Sequence, residues 1–127
     1  MNEKKVLFVC TQNLMRSPTA EEVFRDYPGI EARSAGIGFT SENYVEEFII
    51  RWADIVFVME ERHRDYIRKK FDNASTGKRI ICLGIPDEYN YMDYDLVDLL
   101  KERVTPFLKS LISQDAEKRE SGEEDNE

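Results

Sequence analysis

The chain has 127 residues, enough for one domain with a sizeable core. Its two cysteines exclude a disulfide scaffold, and it has no apolar run long enough to span a membrane. With no leader-like N-terminus, it is expected to be a reduced, cytoplasmic protein with no membrane partner. The net charge of −8 is uneven: residues 115–127 hold seven acids and two bases, leaving −3 on residues 1–114, and no basic stripe points to nucleic acid.

The run Val6-Leu7-Phe8-Val9 predicts a buried parallel strand over about 4–10. A helix follows over about 17–27, with Ser17 as N-cap, Pro18 at the first helical position and glutamates in the first turn. Ala20, Val23, Phe24 and Tyr27 form its apolar face, and Pro28-Gly29 stops it. A second strand is expected over about 30–34. A second helix is expected over about 41–52, capped by Thr40 or Ser41, with Val45, Phe48, Ile49 and Trp52 inward. A third strand spans about 54–59. The charged third helix, about 60–71, turns Tyr66, Ile67 and Phe71 inward. After a turn at 73–78 comes a fourth strand, 79–83, then a loop over 84–93 rich in Asp and Tyr. The last helix is expected over about 94–112, packing through Leu96, Leu99, Leu100, Val104, Phe107, Leu108 and Leu111, with a kink or break at Pro106. The remainder, 113–127, has no apolar face and is expected to be a disordered acidic tail. Alternation of strand and helix implies an α/β domain over 1–112, a small doubly wound four-stranded parallel sheet with helices on both faces. Ligands of such sheets bind at the carboxyl ends of the strands, where Cys10, Ser34, Glu60 and the 84–93 loop fall.

The segment Cys10-Thr11-Gln12-Asn13-Leu14-Met15-Arg16-Ser17 carries the chemistry. A strand, a tight loop and a helix start converge backbone N–H groups on one electropositive point, which is an anion site. A thiol there presents its nucleophilic thiolate to those donors. Arg16 adds a planar fork suited to phosphate. Ser17 is placed to donate its hydroxyl to the Cys10 sulfur, and Asn13 suits a loop position with positive φ. The plainer reading of Cys10 is a buried thiol that ends a strand.

This constellation, with VLFVC before it, RSPTAEEVF across the helix start and the later triplet Ser34-Ala35-Gly36, resembles the low-molecular-weight protein tyrosine phosphatases in a shortened form. The resemblance is dense over 4–36 and thinner to about 112. It implies strand order 2-1-3-4 and a cysteine-dependent hydrolase of aryl phosphate monoesters, working through a cysteinyl-phosphate without metal or cofactor. A phosphotyrosine protein or a small aryl phosphate is the implied partner. The resemblance gives Cys10 and Arg16 their catalytic roles and phosphate contacts to the loop residues Thr11 to Met15. It makes Ser34 the brace of Asn13. The family's general acid lies in an Asp-Pro-Tyr-Tyr motif after the last strand. Here that loop reads Pro86-Asp87-Glu88-Tyr89-Asn90-Tyr91-Met92-Asp93, so Asp87 is the first candidate acid and Asp93 its rival. Tyr89 and Tyr91 are candidates to wall an aryl slot, with packing on the last helix as the plainer reading. The segment after Gly36 is expected to run almost directly into the second helix, with Phe39 a candidate second wall. Cys82 reads as core, His63 as a surface residue and Glu60 to Asp65 as a solvated face. Two other functions fit the loop: a phosphate-binding module with little turnover, separable by turnover of an aryl phosphate, and an arsenate reductase-like protein, which needs more cysteines than this chain supplies. The sequence does not set the oligomeric state.

Overall fold

A computed structural model describes the chain over residues 3–41 and 43–125; the side chains of 115–125 lie outside the described residues. Strands β1 (Lys4–Cys10), β2 (Ile30–Gly36), β3 (Ile55–Val58) and β4 (Arg79–Cys82) pair in parallel in the order β2-β1-β3-β4. Register is continuous from Lys4↔Ile30 to Cys10↔Gly36 on one side of β1 and from Val6↔Ile55 to Val9↔Val58 on the other. Alternation along the central strands divides the core in two. Val6, Phe8, Ile55 and Phe57 face α1 (Arg16–Phe24) and α5 (Tyr94–Asp125). Leu7, Val9, Val56 and Val58 face the layer of α2 (Glu47–Trp52), α3 (Glu61–Lys70) and the single turn α4 (Asp72–Ser75). Phe8 stacks between Phe24 and Phe57 with centroids 5.7 and 5.5 Å away. Each such fully buried side chain contributes roughly 1.5–3 kcal/mol. The α/β fold with helices on both faces is thus the expected one.

The element ends differ where tertiary contacts override local signals. Helix α1 begins at Arg16 with Met15 as N-cap, so Ser17 is not a cap. Helix α2 has six residues and starts at Glu47, and neither Thr40 nor Ser41 caps it. The chain does not run directly from Gly36 into that helix: residues 43–45 lie along the end of β2, with Gly36 N–H donating to Asn43 O and Val45 N–H to Gly36 O. Extending the free edge of β2 in this way satisfies backbone groups that a longer helix would leave unpaired. Phe48, expected inside, is 63% exposed, and Ile50 takes its place in the core. Pro106 lies within α5 without ending it, and the helix continues past the expected end at 112 to Asp125. The remainder of the expected tail, the side chains of 115–127 and residues 126–127 altogether, lies outside the described residues. Among the described residues no helix is long and apolar enough to cross a membrane.

Pairing continues beyond β4: Leu83 N–H donates to Val58 O and Ile85 N–H to Met59 O. Arg103 of α5 donates to Leu83 O and Gly84 O. The exit of the last strand is therefore delivered to the carboxyl end of the sheet, beside the exits of β1 and β3.

Candidate active site

Cys10 is the last residue of β1 and is buried. The loop after it is braced by the end of β2: Ile37 N–H donates to Cys10 O at 3.1 Å and Gly38 N–H to Thr11 O at 2.8 Å. A Cβ on Gly36 would stand 2.8 Å from Thr11 O and 2.9 Å from Asn13 N, so only glycine lets these backbones approach. Asn13 has φ +57°, as its residue type suggests. Its Nδ2 donates to Ser17 Oγ at 2.8 Å, and Ser17 Oγ lies 2.9 Å from Cys10 Sγ. Because Ser17 Oγ already accepts from Asn13, its own proton is free for the sulfur, with Ala35 O at 3.4 Å the weaker alternative. The expected Asn13–Ser34 brace is absent: Ser34 Oγ donates instead to Glu21 Oε1 at 2.5 Å, and Ser17 serves Asn13. The reason is proximity, since Ser17 lies four residues from Asn13 on the adjoining first turn of α1.

Arg16 is buried, and its Nη1 is saturated by Glu60 Oε2 at 2.5 Å and Ile85 O at 2.8 Å. Its Nε and Nη2 make only longer contacts, to Asp87 Oδ1 at 3.7 Å and Thr11 Oγ1 at 3.4 Å, and form a side-on fork of the kind that takes two oxygens of one anion. Glu60 sits at the exit of β3 as the N-cap of α3. Partial burial raises its pKa, but hydrogen bonds from Arg62 and Arg16, and their charges, hold it at about 2. The 60–65 run is therefore not simply a solvated face. Nor is His63 at the surface: it is fully buried, accepts from Glu60 N–H at Nδ1 (3.0 Å) and meets Thr11 Oγ1 at Nε2 (3.0 Å). Burial, then the charges of Arg16 and Arg62, push its pKa down to about 4. Arg62 and His63 are the site residues that sequence reasoning passed over, and Glu60, placed at a ligand-binding strand end, was given no role on Arg16. The available signal was their position at a strand's carboxyl end, with an acid and a histidine three residues apart as in a capping box.

Asp87 Oδ1 stands 3.7 Å from Arg16 Nε, with 64% of its side chain exposed. Asp93 is turned elsewhere: its Oδ2 accepts from Asn90 N–H at 2.7 Å, which ties off the loop just before α5. Tyr89 is half-buried against the α1–α5 core, whereas Tyr91 is exposed. At the loop tip Leu14 and Met15 are exposed; Gln12 packs on Gly38, and Phe39 is 85% exposed. Cys82 is half-buried against the α2–α3 core, and burial pushes its thiol pKa up. Among the described residues no group of three or more His, Cys, Asp or Glu is gathered to hold a metal ion.

Residues 5–52 match the family described as low molecular weight phosphotyrosine protein phosphatase. Over that segment the chain is similar to these phosphatases. A protein-arginine-phosphatase of Geobacillus stearothermophilus is 30% identical over 95 residues, covering 55% of this chain and 64% of that protein. The chain thus spans under two thirds of the curated relative it matches. The fold agrees with the family across most of the chain. The YwlE arginine phosphatase from the same organism superposes with a TM-score of 0.71 at 22% identity, over 90% of this chain and 96% of that one. The tyrosine phosphatase Wzb from Escherichia coli K30, solved with phosphate, gives 0.69 at 22%, over 86% and 99%. A low-molecular-weight phosphotyrosine phosphatase from Vibrio cholerae O395 gives 0.72 at 19%, over 87% and 98%. The family match contains the whole Cys10 loop and Gly36, and stops short of Glu60, His63 and Asp87.

Proposed function

We propose that the chain is a cysteine-dependent phosphatase of aryl phosphate monoesters, with phosphotyrosine as the substrate group. One observation carries this reading: the Asp87 carboxyl of the 84–93 loop comes to the same guanidinium that serves the Cys10 loop. Nucleophile, anion fork and acid then belong to one site. The loop amides and the Nε/Nη2 fork of Arg16 hold the non-bridging oxygens while the Cys10 thiolate attacks phosphorus in line. The P–O bond to the phenol breaks as Asp87, in its protonated form, gives its proton to the departing oxygen. The product is a phenol and a cysteinyl-phosphate. The Asp87 carboxylate then takes a proton from water, whose oxygen attacks phosphorus and expels the thiolate. Ser17 O–H supports the thiolate at both ends of the cycle, because its distance to Cys10 Sγ is already 2.9 Å. The exposed apolar side chain of Leu14 at the loop tip favours an aryl group over a charged one.

The likeness to an arginine phosphatase favours phosphoarginine as a second substrate group. The same machinery serves it, with the acid protonating the departing guanidine. The deciding experiment compares release of phosphate from a phosphotyrosine peptide and from the matching phosphoarginine peptide. Higher kcat/KM on phosphotyrosine is expected. Preference for phosphoarginine reassigns the substrate, and no turnover of either, with phosphate still bound, leaves a binding module.

A further inference from the structure

The hydrogen bonds around Thr11 have a direction that follows from His63. The Glu60 backbone N–H donates to His63 Nδ1 at 3.0 Å, so that nitrogen carries a lone pair. A neutral imidazole then has its proton on Nε2. Nε2–H therefore donates to Thr11 Oγ1 at 3.0 Å and does not accept from it. Arg62 Nη2 donates to the same oxygen at 2.7 Å. A hydroxyl oxygen accepts about two hydrogen bonds, so the acceptor side of Thr11 is full. What remains is its proton, for which the described residues supply no acceptor. The hydroxyl is also close to where an anion belongs: Arg16 Nη2, one arm of the fork, donates to the same oxygen at a longer 3.4 Å, a third donor that again leaves only the hydroxyl proton to give.

We infer that the Thr11 side chain is a hydrogen-bond donor to the anion held in the Cys10 loop, and that His63 is the positioning residue that sets this polarity. A chain of donors runs from Glu60 N–H through His63 and Thr11 to a phosphate oxygen. The inference rests on the phosphatase reading, because it takes the Cys10 loop as the anion site. It adds a side-chain contact to the loop's backbone amides, and it gives a buried histidine that performs no proton transfer a reason to be there.

The test measures affinity for inorganic phosphate by calorimetry on the full chain, with KM and kcat on an aryl phosphate beside it. Thr11→Val keeps the shape and removes the proton; it is expected to weaken phosphate about tenfold and to raise KM more than it lowers kcat. Thr11→Ser keeps the donor and is expected to stay within about twofold of wild type. His63→Gln offers an amide oxygen to Glu60 N–H and an NH2 to Thr11, so it preserves affinity, whereas His63→Leu lowers it. Unchanged phosphate affinity in Thr11→Val overturns the inference, as does an equal loss in Thr11→Ser and Thr11→Val. If His63→Leu fails to fold, the Thr11 pair still decides. A wild-type chain that neither binds phosphate nor hydrolyses an aryl ester sinks the phosphatase reading itself. Binding retained equally in wild type and Thr11→Val removes only this contact.

Discussion

Around the Cys10 loop, Asn13, Arg16 and Ser17 are 5%, 1% and 0% exposed, whereas Asp87 leaves 64% of its side chain in solvent. The two regions meet at Arg16 and are held in different ways. The Cys10 half is a closed network in which Asn13 holds Ser17, Glu60 and Ile85 O hold Arg16, and His63 holds Thr11. Buried networks of this kind are rigid because every broken bond strands a polar group away from water. The Asp87 half is anchored at its ends, by Ile85 pairing with Met59 and by Asp93 tying Asn90, and Asp87 reaches Arg16 only at 3.7 Å. Charge stabilisation needs fixed geometry before the reaction begins, while a proton donor needs to meet the leaving group only once substrate is present.

The largest test of that contrast is the nucleophile. Cys10→Ser is expected to lower turnover of an aryl phosphate on the order of 10⁴-fold or more while calorimetry still detects phosphate binding, because the rest of the network is intact. Near wild-type turnover in a pure sample ends the covalent-cysteine mechanism. Arg16→Lys keeps the charge but loses the fork, and it removes the donor to Ile85 O while leaving Glu60 to Arg62 alone. A loss in kcat/KM of at least about 100-fold is expected, and a loss under about tenfold would show that the fixed guanidinium is unimportant.

The exposed half is sharpened by leaving-group dependence. Asp87→Asn is expected to slow phenyl phosphate about 100-fold and a dinitrophenyl ester less than about tenfold, since a good leaving group departs without a proton. Asp93→Asn is expected to leave both rates near wild type, because that carboxylate is committed to Asn90 N–H. Equal slowing of both esters by Asp87→Asn, or a leaving-group effect in Asp93→Asn, would move the acid elsewhere.

The smallest effect reads the buried network through pH. The folded pKa of His63 is about 4, against an ordinary value of 6.5, so the unfolded chain takes up the proton first. Stability should be full above pH 6.5, fall between 6.5 and about 4, and lose nothing further from this group below that. The cost at pH 5 is on the order of 2 kcal/mol, several degrees in Tm. His63 is the chain's single histidine, so His63→Gln should remove most of the fall between pH 7 and 5. A lower window with the same sign belongs to Glu60, whose depressed pKa supplies stability above pH 4.5 that is lost as pH falls towards about 2. Thermal melts of both proteins at pH 7, 6 and 5 check this, and parallel curves would place the sensitivity outside the network.

Much of the Cys10 half was legible in the residues. The apolar run into Cys10, the arginine six residues on and the Asn13 position each reflect a local rule of strand burial, donor geometry or backbone sterics. The errors were of two kinds. Ser17 reads as a helix cap by propensity, yet the sulfur and Asn13 claim its hydroxyl, so the helix starts a residue earlier. His63 reads as a surface residue because α3 is highly charged as a whole, and its capping-box spacing from Glu60 does not by itself reveal that this turn lies under the Cys10 loop.

By itself, the sequence determined the parallel α/β sheet, the strand that delivers Cys10, and the loop that brings its arginine back beside that cysteine. These follow from contacts within a few residues and from hydrophobic periodicity. Only the tertiary structure decided which carboxylate pins Arg16, which of two aspartates reaches it, and that the one histidine is buried behind Thr11. Those partners lie up to 71 positions apart along the chain, as Arg16 and Asp87 do, and meet only because β1, β3 and β4 end side by side.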